Sequence, residues 1–283
     1  MDLLFEPLAY AIFLRSLLAV MLVAVVCATV GTFVVLRGVA FIGDAISHAA
    51  FPGVVIAFLI GAAYYVGAAV AAVATALAIT WVSRRTQLRT DTTIGVLFAG
   101  TFALGIFLYS TIEGYVGDLF GFLVGNVLAI SGGDLVALAL LSGVVLLAVL
   151  VFWKELLYST FDPLGAAASG LPVSSMEYLF LALVALTIVI SLQAVGIILV
   201  VAMLVTPAAA AQLLTASFGR LMGLAVTIGV VSSVAGLYLS FWLDVASGAT
   251  IVLVQTLAFI AALLVAPRRR IGLRPDVAES RPG

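Results

Sequence analysis

Nine stretches of this chain run for roughly 17 to 26 residues with almost no charge, at 11–36, 43–61, 63–83, 91–112, 134–153, 177–193, 195–214, 219–242 and 249–266. Each is long enough, or nearly so, to cross a hydrocarbon core ~30 Å thick as a helix. Isolated strands would leave backbone groups unsatisfied in lipid, so the stretches are helices. A closed barrel is excluded, because the runs lack period-two alternation and are about twice too long. Hydrophobic residues make up 65% of the chain and charged residues 9%, against about a quarter charged in a soluble domain. The fold class is therefore an all-α polytopic integral membrane protein of eight or nine spans. Gly114–Ser131 is apolar but broken by glycines and Asn126, and reads as a short re-entrant or interfacial helix.

Basic residues set the orientation. Arg84, Arg85 and Arg89 follow the third run and Arg268, Arg269 and Arg270 follow the last, with six crossings between the two groups. Both groups are therefore cytoplasmic, as is the loop at about 154–175. Residues 1–266 form one transmembrane domain, and 267–283 a short cytoplasmic tail. The outer loops carry Glu113, Asp118, Asp134 and Asp244 without Lys or Arg. An acidic outer face concentrates cations; ordinary exclusion of positive charge from translocated loops accounts for it equally. The N-terminus is outside with nine spans and inside with eight. The single cysteine, Cys27, lies within a span and gives no disulfide framework.

Asp44 and His48, the chain's only histidine, sit four residues apart in "VLRGVAFIGDAISHAAFPG". That spacing puts both on one helix face, where they can touch one ion. A carboxylate with a neutral imidazole suits Mn²⁺, Zn²⁺ or Fe²⁺ rather than cations that prefer all-oxygen shells. Ionisable groups inside a span are costly and mark pathways; the structural alternative is an Asp–His hydrogen bond that ties helices together. On this topology Asp44 lies within two turns of Arg37, near the cytoplasmic end of its span, unless the chain re-enters after the first helix. Asn126, with Phe120 and Phe122, reads as an outer gate or as a simple cap or turn. Gln193, Thr206 and Pro207 interrupt an apolar run, and either line a pathway or serve close packing and a kink. In the cytoplasmic loop, "FDP" and "SGLPV" bracket a short helix at Leu164–Ser169. It offers a knob to a soluble partner, and otherwise is a plain connection.

The chain cannot itself be a P-loop ATPase: its only lysine, Lys154, stands in "VFWKELL", away from glycine. One histidine is too few for a metalloprotease site. These observations disfavour an enzyme.

"VLRGVAFIGDAISHAAFPG", "LVGNVLAIS", "FWKELLYSTFDPLGAAASGLPV", "SLQAVGIILVVAMLVTPAAAA" and "LDVASGATIVLV" occur in an order that resembles the permease subunits of bacterial metal-ion ABC importers, the zinc, manganese and iron type, over about Leu14 to Ala266. The resemblance implies a vitamin B12 permease-like, type II importer fold in the cytoplasmic membrane. It implies a homodimer that docks ATP-binding cassette ATPase subunits and receives a divalent metal ion from an extracytoplasmic solute-binding protein. Besides these partners only membrane lipid is expected, with no nucleic acid and no permanently bound cofactor. Carried over to this chain, Asp44 and His48 match the metal path and Asn126 the outer gate. Phe161, Asp162, Pro163, Leu164, Gly170, Leu171 and Pro172 match the segment that couples to the ATPase. The rival readings are a proton-coupled secondary transporter, in which Asp44 and His48 relay protons, and a permease for metal chelates.

Overall fold

The computed structural model describes residues 6–86, 88–112 and 127–266, with the side chain of Gln193 excepted. The expected gate residues Phe120, Phe122 and Asn126 lie outside the described residues, as does Gly114–Ser131 apart from its end. There Val127–Ala129 forms a 3₁₀ turn. Twelve α-helices and no strand occur among the described residues: α1 (Ala11–Leu36), α2 (Ile42–Ala49), α3 (Phe51–Leu59), α4 (Tyr64–Arg85), α5 (Thr90–Ser110), α6 (Gly132–Val151), α7 (Trp153–Phe161), α8 (Pro163–Ala168), α9 (Val173–Val195), α10 (Ile197–Leu214), α11 (Phe218–Leu243) and α12 (Ser247–Val265). Nine spans are long and apolar enough to cross a membrane among the described residues, with α2 and α3 sharing the second.

Burial sorts the spans. The best apolar windows of α1 and of Ile42–Leu59 are 72% buried, whereas those of α5, α6 and α12 are 17%, 22% and 22% buried. The first two are the core, and the last three present their faces to lipid or to another chain. α1 packs against α6, α9, α10 and α11, while α2 and α3 lie against α4 and α5. Small residues allow these approaches. Gly31 of α1 lies on the backbone of Leu204 in α10, and Gly53 of α3 on the backbone of Gly67 in α4.

Local chemistry fixes the ends. Ser131 and Asp134 form a capping box at α6: the Ser131 hydroxyl accepts from the Asp134 N–H (3.2 Å) and the Asp134 carboxylate accepts from the Ser131 N–H (3.1 Å). Gly196, at φ 79° and ψ 168°, lies in a region open only to glycine, and it lets α9 end and α10 begin without a loop. α1 ends on Gly38 at φ 69°. The N–H of Val39 donates to the Val34 carbonyl (3.2 Å) and that of Gly38 to Val35 (3.1 Å), a Schellman turn.

The segment between α6 and α9 is more structured than the sequence suggests. The short helix is α8, one residue earlier than expected, and a second helix, α7, precedes it. α7 reads as polar loop because its nine residues bury only Leu156 and Ser159.

Candidate functional site

Of the eight residues of α2, Ile42, Gly43, Ala45, Ile46, Ser47 and Ala49 are buried. The two left partly open are Asp44 and His48, whose side chains are 38% and 26% exposed. Helical spacing thus presents a carboxylate and an imidazole together on the one free face of an otherwise enclosed helix.

The register against α5 locates this pair among the helices. The His48 ring stands edge-on to Phe98 (centroids 5.5 Å apart) and Phe102 (5.3 Å). These are residues 9 and 13 of the 21 in α5, so His48 stands level with the stretch about 12–18 Å along that helix from its start at Thr90. Asp44 lies one turn, about 6 Å, earlier on α2. Ionisable groups left that open within a membrane-spanning segment face a water-filled path or another protein surface, since lipid would not solvate them.

Hydrogen bonding orients the imidazole. His48 Nδ1 lies 2.9 Å from the Asp44 carbonyl oxygen. A carbonyl only accepts, so the proton is on Nδ1, and Nε2 keeps its lone pair in the neutral ring. Metal-binding histidines are commonly oriented in this way by a backbone carbonyl. Asp44 Oδ1 is 3.5 Å from the same Nδ1. Both polar contacts lie within one turn of one helix, while the His48 ring, edge-on to Phe98 and Phe102, packs α2 against α5.

Around the ring Phe98 and Phe102 stack on each other (6.0 Å, 14°), with Phe41 beside Phe98 and Phe51 beside Phe102. Sequence reasoning missed this aromatic wall. Its signal was present: Phe98 and Phe102 repeat on α5 the four-residue spacing of Asp44 and His48. Among the described residues no group of three or more His, Cys, Asp or Glu is placed to hold a metal.

The remaining candidates lie apart from this pair. α10 presents Val201 and Leu204 to Gly43 of α2. Thr206 is half-buried farther along, and Pro207 is buried within α10 facing Gly229 of α11. With no N–H to give to the Met203 carbonyl, Pro207 loosens the helix there. Gln193 falls in the last turns of α9.

The seven coupling candidates form one turn–helix–turn between α7 and α9. Phe161 closes α7 and is 60% exposed. Asp162 caps α8 by accepting from the Gly165 N–H (2.8 Å), with Pro163 at the first helical position. Leu164 is 83% exposed. Gly170 turns the chain at φ 87°, the Leu171 N–H donates to the Ala166 carbonyl (3.0 Å), and Pro172 precedes α9. Ala166, fully buried, anchors the knob.

Residues 9–266 match the ABC 3 transport family. The manganese transport system membrane protein MntC of Halalkalibacterium halodurans is 47% identical over 266 residues, covering 94% of this chain and 91% of that protein. The chelated iron transport system membrane protein YfeD of Yersinia pestis is 40% identical over 259 residues, 92% of this chain and 87% of that one. PsaBC from Streptococcus pneumoniae, solved in complex with Fab, superposes with a TM-score of 0.83 at 36% identity, over 95% of this chain and 97% of that chain. An inward-facing metal-chelate type ABC transporter shares the fold at a TM-score of 0.71 and 16% identity, over 89% of this chain and 85% of that chain.

Proposed function

The chain belongs to the ABC 3 transport family and is the multi-pass permease subunit of an ABC importer for a divalent transition metal, and on that premise we propose that the ion passes between two copies, held by Asp44 and His48 of each. The carboxylate and imidazole on the one open face of α2, level with the middle turns of α5, carry this reading. Two copies meeting on the open face of α2 would supply two carboxylates and two imidazoles, four ligands of the type that divalent first-row metals accept. The same pairing would cover charged groups that lipid cannot solvate. Nε2 of His48 is the ligand atom, and the Nδ1–carbonyl bond holds it in place. Carboxylate plus imidazole binds such metals without thiolate, which suits a site that must also release them.

Manganese is the proposed cargo. The relatives named for manganese transport, at 47% and 43% identity, support it over iron and zinc. The ligand set alone does not discriminate, because a given N/O site generally binds Zn²⁺ more tightly than Mn²⁺. A solute-binding protein would deliver the ion at the outer face. ATPase subunits would dock on the α7–α8 knob, and nucleotide-driven movement there would open the path alternately. The test is ATP-dependent uptake of Mn²⁺, Zn²⁺ and Fe²⁺ into vesicles that hold the assembled transporter. Uptake of Mn²⁺ that the other two compete with weakly is expected; uptake without ATP, driven by a pH gradient, would replace this reading with a proton-coupled carrier.

Docking makes its own prediction. Phe161 and Leu164 are exposed apolar side chains on a capped helix, the form of an interface anchor worth about 2 kcal/mol or more. Phe161→Asp or Leu164→Asp is expected to cut ATPase co-purification by more than about tenfold, while the permease keeps its elution profile in detergent. Full co-purification of both variants would move the docking surface elsewhere.

A further inference from the structure

Arg37 is the first residue past α1 and stands seven positions before Asp44. Its guanidinium does more than mark the cytoplasmic end of a span. Nε donates to the Thr160 hydroxyl (3.0 Å) and Nη2 to the Ser159 hydroxyl (3.1 Å), both on the last turn of α7. Those hydroxyls donate in turn to the Leu156 carbonyl (2.6 and 3.1 Å), which leaves their lone pairs for the guanidinium. The same guanidinium lies 4.1 Å over the Phe180 ring of α9. Glu177, one turn earlier on α9, is held by Arg84 at 2.8 Å. Burial lowers the Arg37 pKa to about 10 and the field of Glu177 opposes that shift, so the side chain stays cationic at neutral pH.

One side chain is thus fastened to the segment that carries the docking knob. On the other side it joins the Schellman turn at Gly38, whose two backbone bonds stiffen the connector. Four residues past Gly38 begins α2, enclosed on every face but that of Asp44 and His48. A displacement of α7 therefore has a short, stiff route to the ion ligands. Arginine suits the task because its planar fork reaches two neighbouring hydroxyls while stacking on an aromatic ring; a lysine makes one point contact.

We propose that Arg37 is a positioning residue that ties α2, and with it Asp44 and His48, to the position of α7 and the docking helix α8. This rests on the ion site and docking surface proposed above. Movement of the knob by a docked ATPase is passed through Arg37 to the ligand pair, and hydrolysis becomes coupled to transport at this contact.

The test uses the full transporter in vesicles, with the ATPase and binding protein present, and reads Mn²⁺ ions taken up per ATP hydrolysed. Arg37→Ala, Arg37→Lys and the double variant Ser159→Ala/Thr160→Val are compared with Asp44→Ala. In Arg37→Ala and in the hydroxyl double variant, ATP hydrolysis persists while uptake per ATP falls about tenfold, in the range of ordinary coupling between sites. Arg37→Lys is intermediate, and adding Arg37→Ala to the double variant costs little more, as residues sharing one contact require. A structural anchor would instead lower the yield of folded protein and leave uptake per ATP unchanged. An unchanged ratio, or losses that add in full, overturns the proposal. Should Arg37→Ala fail to fold, the lysine and hydroxyl variants carry the same reading. If Arg37→Ala keeps its ratio while Asp44→Ala abolishes uptake, this inference falls and the ion site stands. If Asp44→Ala transports normally, the ion site falls, and the route from Arg37 loses its endpoint.

Discussion

Asp44→Ala and His48→Ala are each expected to lower ATP-driven Mn²⁺ uptake by about 100-fold or more. Losing even a group that merely orients a metal ligand costs 10–100-fold in affinity or activity, and these two residues are read as the ligands themselves. In a dimer each substitution removes two of the four ligands. The remaining pair would be two imidazoles without charge compensation, or two carboxylates without nitrogen. Asp44 is partly open and makes little packing, so for Asp44→Ala thermal stability in detergent and ATPase co-purification should stay near those of the parent. His48→Ala also loses the ring contacts with Phe98 and Phe102, and should keep co-purification with a modestly lower thermal stability. Asp44→Asn is the sharper variant: it keeps the shape and a carbonyl oxygen but removes the negative charge, and uptake should fall nearly as far. Retention of uptake within a few-fold in all three variants, with the transporter assembled, would remove the pair from the ion path. A packing role would then be left for it, with the His48 ring set against Phe98 and Phe102 of α5.

The spans could be read from the sequence because membrane crossing is set by length and apolarity, which composition reports directly. Asp44 and His48 could be read for the converse reason: charge inside an apolar run is rare and costly. The level of the pair against its neighbouring helices could not. It depends on Gly38 turning the chain and on which turn of α5 the ring of His48 meets, and neither a left-handed glycine nor a helix–helix register follows from hydropathy. α7 was hidden by its polarity, since a short helix lying beside the bundle buries too little to show an apolar period. Arg37 looked like one more basic residue at a cytoplasmic end. Its partners, Ser159 and Thr160, stand more than 120 residues away, and only the fold brings them to its guanidinium.

Gly31→Ala should destabilise the folded permease by roughly 1–3 kcal/mol, the range for overpacking, and a leucine there by more. In lipid there is no hydrophobic drive to hold helices together, so close packing across small residues carries much of the association. At Gly31 that packing is complete: a methyl group built there would strike the Leu204 carbonyl on α10 and come within 3.2 Å of its Cα. Backbone cannot rotate out of the way as a side chain can, so α1 and α10 would have to separate. The strain would not stay local. The Leu204 side chain presses on Gly43 of α2, at 3.0 Å from where a Cβ would stand, so moving α10 also disturbs the helix that bears Asp44 and His48. Gly100 in α5 and Gly143 in α6 are the controls, because a methyl at either meets nothing within 4 Å. Alanine at those two sites is expected to leave the melting temperature in detergent unchanged or slightly raised. Equal behaviour of Gly31→Ala and the two controls would mean that α1 and α10 are not held at backbone contact. A lower melting temperature for Gly31→Ala alone, accompanied by weaker Mn²⁺ uptake, would place the packing of α1 on α10 among the determinants of the ion site.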